Sequence, residues 1–305
     1  MSRNNAFFTE AHYGPNHEDK TKNQVVLVCP HGANGEAFLN LFPEIMSHPE
    51  IQKIKDLFLT YLRIEQDYGS QEVTDQLAQW LSTQRPEWSI LTFSIGYPRA
   101  IVDGGRLPNW CIRPCLPSPL LKNLQKEFLE MHEATIAEVR MRTEACSLAG
   151  GVVIDIHTMA SYSPAQKDYP SGTMPVKFEQ LQLYVDQFIR APVANARPFD
   201  LITDDGKGNL LAFPPLVENL KQELNAAQIA WAENEPYAAI PEFMMHDHLV
   251  RSQAVALDIP KGMLSVTKED SDHTHPFDLS YCVLDAEKMK KMVKTIGKAI
   301  LSTLK

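Results

Sequence analysis

Two histidines stand where a buried strand would end. His31 follows the apolar run Val25–Cys29, and a glycine-rich turn then leads to Glu36. His157 directly follows the strand-like run 152–156, which is apolar except for Asp155. His157 and Asp155 share a face of that strand, because strand side chains two residues apart point the same way. Imidazole and carboxylate groups are zinc ligands, so the two segments predict a metal site at the edge of a sheet.

A third segment has the residues to bind an anion. Residues 97–106 follow the predicted strand 89–94 and hold Arg99 and Arg106 around Asp103. Guanidinium groups bind carboxylates through paired hydrogen bonds, which suits recognition of an acidic small molecule.

Taken alone, each of these three segments has a simpler interpretation. The arginines would be surface residues neutralised by Asp103, and each histidine would be a strand-end residue hydrogen-bonded to the backbone.

The remaining histidines have weaker patterns. His246 with His248, and His273 with His275, form two His-x-His pairs, and alternation would let either pair bind a metal. Both pairs lie in polar stretches, so we expect solvent-exposed loop histidines. His132 falls in the middle of a predicted long helix and is expected to be a packing or surface residue.

Composition narrows the class of protein. The 305 residues are 44% hydrophobic and 22% charged, which is enough for one large domain or two small ones. The formal net charge of −9 argues against a nucleic-acid or acidic-membrane partner. The first residues lack the apolar core of a secretory signal, no run is long enough to span a membrane, and the 5 cysteines match no zinc-ribbon spacing. We therefore expect a reduced, cytoplasmic enzyme, and the sequence indicates no oligomeric state.

Predicted strands and helices alternate along the chain. Residues 1–23 are polar and are expected to be an irregular lead-in to a single catalytic α/β domain over residues 24–305. Residues 107–119 form a proline-rich loop of the kind that covers a site. Periodicity predicts strands at 24–29, 89–94, 152–156, 199–202 and 254–259, and helices at 71–81, 120–146, 214–232 and 284–304. This order predicts a mixed β-sheet sandwiched between helices.

The ordered motifs resemble a known family. The motifs are Pro30-His31-Gly32, Arg99…Asp103…Arg106 and Asp155-Ile156-His157-Thr158-Met159, in this order along the chain. Together they resemble the N-formylglutamate amidohydrolases, which are similar to zinc carboxypeptidases and aspartoacylases. Residues 234–237 and 256–260 resemble the family's later segments, so the resemblance spans roughly residues 24–265. It implies a zinc carboxypeptidase-like, phosphorylase/hydrolase-like fold.

The resemblance also implies a metal centre and a reaction. The chain would be a zinc-dependent amidohydrolase that cleaves the amide bond of a small N-acyl, N-formyl-like amino acid with a free carboxylate. His31, His157 and Glu36 would hold the Zn²⁺ ion, with Asp67 as the rival of Glu36. Asp155 would contact these ligands without binding the ion itself.

The same resemblance implies roles for the other polar residues. Asp258 would accept a proton from water activated by the metal. Arg99 and Arg106, with Asp103 and Tyr237 beside them, would bind the acidic substrate. One of the two arginines would also polarise the scissile carbonyl.

Two residues depart from the family pattern. Gly105 stands where the family typically has Asn before its second arginine, and Asp258 stands where the family typically has Glu. A carboxylate shorter by one methylene can be displaced by about 1 Å, which can cost on the order of 10²-fold in rate. A zinc peptidase or peptidoglycan amidase, and a catalytically silent relative that binds an acidic small molecule, are therefore the alternatives.

Overall fold

The strands arise from aliphatic runs, and the longer helices from apolar residues at helical spacing. The structure, a computed structural model, describes residues 6–15, 24–164, 176–190, 193–267 and 282–304. Its strands are β1 (Phe8–Tyr13), β2 (Val25–Cys29), β3 (Ile90–Ile95), β4 (Val152–Met159), β5 (Tyr162–Pro164), β6 (Val193–Ala196), β7 (Phe199–Ile202), β8 (Trp231–Glu233), β9 (Ala254–Pro260), β10 (Ser265–Thr267) and β11 (Cys282–Leu284). Its helices are α1 (Glu36–Leu41), α2 (Pro43–Ser47), α3 (Pro49–Lys53), α4 (Lys55–Glu65), α5 (Ser70–Gln84), α6 (Ser118–Leu148), α7 (Leu181–Arg190), α8 (Pro214–Ala226), α9 (Met244–Arg251) and α10 (Ala286–Thr303).

Within this described part of the chain, seven strands form the main sheet, in the order β1-β3-β2-β4-β9-β7-β8. The strands β3, β2, β4 and β9 run parallel, while β1 and β7 pair antiparallel with β3 and β9. Every residue of the four parallel strands is buried, as expected for strands covered on both faces. Their carboxyl ends meet at one edge, so the loops there bring together residues that are distant in sequence.

Helices cover the sheet and hold it in place. α5 packs on β2, β3 and β4 and against α10, which in turn packs on α8. α6 packs on β2 and β4, and α9 packs on β9 and α6. In α5 the buried residues Val73, Leu77 and Leu81 recur at helical spacing. Gly69, with a φ of 89°, supplies the left-handed turn before this helix.

The predicted α/β class, with one mixed sheet flanked by helices, is confirmed. The predicted lead-in over residues 1–23 differs from the structure, because β1 lies within it and joins the edge of the sheet, with Phe8 opposite Ile95. This edge strand has only half-buried and exposed residues, in no regular alternation, so its sequence cannot be distinguished from that of a polar loop. Among the described residues, no helix is both long and apolar enough to cross a membrane.

Candidate metal centre

Three side chains from distant parts of the chain meet at the carboxyl edge of the sheet. His31 follows β2, Asp67 lies between α4 and α5, and His157 lies in β4. His31 Nδ1 is 3.2 Å from His157 Nδ1 and 3.3 Å from Asp67 Oδ2, and His157 Nδ1 is 3.2 Å from the same oxygen. All three residues are buried, at 2–6% exposure. They form a group that could hold a metal ion.

The chemistry of this donor set fits zinc. Two imidazole nitrogens and a carboxylate oxygen in mutual contact are all acceptors unless a proton or a cation lies between them. Zinc bonds of about 2.0–2.2 Å at tetrahedral angles separate neighbouring ligand atoms by about 3.3–3.6 Å, close to the spacing among these three atoms. A set of three ligands also leaves one tetrahedral position open, as in catalytic zinc sites.

Asp103, in the loop after β3, orients His31 from the other side of the ring. Its Oδ1 lies 2.7 Å from His31 Nε2, so an Nε2–H donor leaves the Nδ1 lone pair facing His157 Nδ1 and Asp67 Oδ2, the other two candidate ligand atoms. Arg113 and the Nε of Arg106, at 3.1 Å, both donate to Asp103 Oδ2. Burial would raise the pKa of Asp103, but Arg113 and His31 hold it well below its usual value. The structure thus places Asp103, predicted to bind substrate, against a predicted metal ligand.

Gly105 allows this loop to approach His31. Its N–H lies 2.9 Å from His31 Nε2 and 3.0 Å from Asp103 Oδ1. A Cβ atom at this position would lie 2.6 Å from both Cε1 and Nε2 of His31, which is closer than real side chains approach. A side chain at position 105 would therefore displace the His31 ring from its contact with Asp103.

The structure brings Asp67, and not Glu36, to the two histidines. The Asp67 N–H donates to the His31 carbonyl at 3.1 Å, and the Thr158 N–H lies 3.3 Å from Asp67 Oδ2. Burial would raise the pKa of Asp67, but the two histidines hold it well below its usual value. Glu36 is exposed at the start of α1, where it lines a pocket of about 510 Å³ that none of the three donor residues lines.

Arg99 is embedded among carboxylates. Its Nη1 donates to Asp67 Oδ1 at 3.2 Å, and its Nε lies 4.0 Å from Glu65 Oε2. Glu65 is buried and also accepts a hydrogen bond from the Tyr184 hydroxyl. The charge of Arg99, predicted to face the substrate, is therefore matched by acidic groups of the protein itself.

Asp258 lies beside this cluster on β9. It pairs in register with His157 of β4, and Asp200 of β7 pairs with it from the other neighbouring strand. Burial, together with the Asp67 and Asp200 carboxylates, raises the pKa of Asp258 well above its usual value. Its Oδ1 is buried without a hydrogen-bond partner in the described part of the chain. The pKa of Tyr237 is raised by burial and by Asp258, which places the phenol near this carboxyl group.

Sequence reasoning missed several charged residues of the site. Arg197 lies near Tyr237, where its positive charge opposes the rise in the phenol's pKa, and Lys261 donates from Nζ to the Gln66 carbonyl at 2.8 Å. Neither residue belongs to a motif that signals its place, because each reaches the site through chain packing. Arg113 had a weak signal, since it lies in the proline-rich loop that was expected to cover a site.

Asp155 is paired with a histidine that was expected to be exposed. His248 Nδ1 lies 2.7 Å from Asp155 Oδ2, and His248 is 2% exposed. The loop prediction for this residue is wrong, because α9 forms there and buries one face against β9. The ring of the partly buried His246 lies 2.7 Å from a backbone carbonyl. His273 and His275 lie outside the described residues.

Two solved structures share this fold. The crystal structure of N-formylglutamate amidohydrolase from Ralstonia eutropha JMP134 matches with a TM-score of 0.53 at 16% identity, over 98% of this chain and 96% of that one. A gene product of Agrobacterium tumefaciens matches with a TM-score of 0.51 at 11% identity, over 100% of this chain and 97% of that one. No protein-family model and no curated protein matches the sequence. The resemblance inferred from the ordered motifs is confirmed at the level of the fold.

Proposed function

We propose that the chain is a zinc-dependent amidohydrolase that cleaves the amide bond of a small N-acyl amino acid with a free carboxylate. The observation that carries this proposal is the convergence of His31, Asp67 and His157 at the carboxyl edge of a parallel sheet. The fold shared with an N-formylglutamate amidohydrolase supports the same class of reaction.

His31, Asp67 and His157 would hold the ion. When bound, zinc supplies Lewis acidity that activates water and polarises the scissile carbonyl. Asp103 keeps His31 in the tautomer that presents Nδ1 to the site. Arg99 binds Asp67 through Oδ1, which leaves Oδ2 directed at the two imidazoles.

Asp258 is the residue we assign to proton transfer. Its Oδ1 has no partner among the described residues, and it lies on the strand next to His157. It would accept a proton from the attacking water and then give it to the leaving amine nitrogen. A carboxyl group with a raised pKa suits both halves of this exchange.

Arg106 is the residue we assign to the substrate carboxylate. Its guanidinium carbon lies 4.7 Å from the centroid of the Phe243 ring, and its Nε is held by Asp103. These two contacts orient a planar group whose paired N–H donors match a carboxylate. We assign Arg99 instead to Asp67, because its charge is already matched by two acidic side chains.

Metal analysis and a substrate panel test this function. We expect about one zinc per chain, chelator-sensitive hydrolysis of N-formyl and N-acetyl amino acids, and much weaker turnover of the matched amino-acid amides. Full activity of the zinc-free protein would reject metal dependence. Equal turnover of acids and amides would reject carboxylate recognition, and a panel without any hydrolysis would reject the reaction itself.

A further inference from the structure

His132 is a buried imidazole that the proposed chemistry does not use. It lies in the middle of α6 and has 0% exposure. Burying an imidazole is costly unless its ring nitrogens find hydrogen-bond partners. Here both do, since Nδ1 lies 2.6 Å from the Tyr97 hydroxyl and Nε2 lies 2.8 Å from the Arg106 carbonyl oxygen.

These partners permit one arrangement of protons on the neutral ring. A carbonyl oxygen only accepts hydrogen bonds, so Nε2 carries the hydrogen and donates it to Arg106. Nδ1 then accepts from the hydroxyl of Tyr97, whose pKa is raised well above its usual value by burial. Burial also lowers the pKa of His132 to about 4, so the ring is neutral at physiological pH.

The backbone that His132 contacts belongs to a turn of the candidate site. The Arg106 N–H donates to the Asp103 carbonyl at 3.2 Å, and the Leu107 N–H donates to the Glu242 carbonyl at 2.9 Å. The buried imidazole adds a bond to the carbonyl of the peptide between Arg106 and Leu107. Both ends of this peptide are therefore fixed, and the guanidinium group projects from a fixed backbone.

We propose that His132 is a positioning residue for substrate recognition, in which its Nε2–H holds the Arg106 carbonyl and Tyr97 holds the required tautomer. The proposal rests on the proposed function, since it gives Arg106 the substrate carboxylate. Without this bond the turn can shift, and the Arg106 guanidinium then meets the substrate carboxylate with poorer hydrogen-bond geometry, which weakens substrate binding.

A matched pair of variants tests the proposal by kinetics. Glutamine can place an amide N–H near the position of Nε2, whereas asparagine is too short to reach the carbonyl. His132→Asn should raise KM for an N-acetyl amino acid about tenfold with kcat within about twofold, and His132→Gln should restore KM to within about threefold. Zinc content should not change. Equal KM values for the two variants, or a fall in kcat alone, would overturn the proposal. If His132→Asn does not fold, Tyr97→Phe replaces it, with a smaller KM shift in the same direction.

An NMR measurement separates failure of this proposal from failure of the proposed function. The wild type should show a neutral His132 with hydrogen on Nε2 at about pH 6 to 8. The Arg106 Nε–H signal should be protected from exchange in wild type and His132→Gln, and should exchange faster in His132→Asn. A protein that hydrolyses no N-acyl amino acid would refute the function, while these signals still decide the positioning role. Hydrogen on Nδ1, or an unchanged Arg106 signal in His132→Asn, would overturn it.

Discussion

Asp155 and His157, two residues apart in β4, each take part in a buried contact between a histidine and a carboxylate. The two contacts differ in how many groups compete for a proton. Asp155 and His248 form a closed pair, with Oδ2 and Nδ1 2.7 Å apart. Two residues further along the strand, His157 meets both a second imidazole and the Asp67 carboxylate at 3.2 Å. One proton between Nδ1 and Oδ2 satisfies both atoms of the first contact, whereas the second contact has a surplus of acceptors that a cation would satisfy. Burial beside a carboxylate therefore does not by itself mark a metal ligand.

Removing one imidazole from each arrangement should give the largest difference. His157→Ala should abolish tight zinc binding and lower kcat/KM by at least about 10³-fold, because a three-ligand site rarely survives the loss of one ligand. His248→Gln should keep its full zinc content. Elemental analysis and the hydrolysis assay measure both effects, and full zinc occupancy in His157→Ala would refute the assignment.

The carboxyl group beside the metal centre should come next in size. Asp258→Asn should lower kcat by about 10²–10⁴-fold with zinc content unchanged, because the proton acceptor is lost while the ligands remain. Asp258→Glu should retain activity, since it keeps the carboxyl group and lengthens its reach. Steady-state kinetics with parallel zinc analysis provide the test. Turnover at the wild-type rate by Asp258→Asn would move the base to another residue.

Gly105→Ala should weaken the centre without removing a ligand. The added Cβ would lie 2.6 Å from the His31 ring and would push it away from Asp103. We expect zinc affinity to fall by about 10–100-fold, the usual cost of losing an orienting partner of a metal-bound histidine. Competition with a chelator measures this affinity. Gly208→Ala is the control for lost stability, because its φ of 87° makes the change strain the backbone while the added Cβ contacts no other group. An equal loss of zinc affinity in both variants would contradict the steric argument.

The closed pair should affect stability rather than metal binding. Burial opposes the charged form of His248, but Asp155 raises its pKa above the ordinary value of about 6.5. The stabilisation is then fully present below about pH 6.5 and is lost as pH rises through the folded-state pKa. His248→Gln should lower the free energy of unfolding by about 1–3 kcal/mol near pH 6 and by less near pH 9. Urea unfolding of the zinc-free proteins at both pH values measures this, and a pH-independent difference would contradict it.

Glu36→Gln should have the smallest effect. The side chain is exposed at the start of α1 and lies outside the group of metal-ligand atoms. Zinc content should stay full and kcat/KM should stay within about twofold of wild type, as for other surface substitutions. Asp67→Asn, assayed beside it, should lose zinc. Loss of zinc from Glu36→Gln would restore it as the third ligand.

The sequence by itself determined the strands β2 and β4 and the two histidines near their carboxyl ends. Aliphatic runs long enough for a strand and too short for a helix identify β2 and β4, and parallel strands in one sheet end at the same edge. From this rule alone His31 and His157 were expected to meet, and their Nδ1 atoms are 3.2 Å apart. Such local patterns are visible in sequence because they repeat every two residues along a strand.

Only the tertiary structure shows that Asp67, and not Glu36, lies beside the two histidines. Both carboxylates are plausible by type, and no periodicity relates a loop 36 residues away to His31. The choice depends on the backbone bond from the Asp67 N–H to the His31 carbonyl and on the buried turn before α5. The burial of His248, and the choice between packing and the surface for His132, were also hidden from the sequence. A polar residue on a helix shows its partner only when another element packs against it.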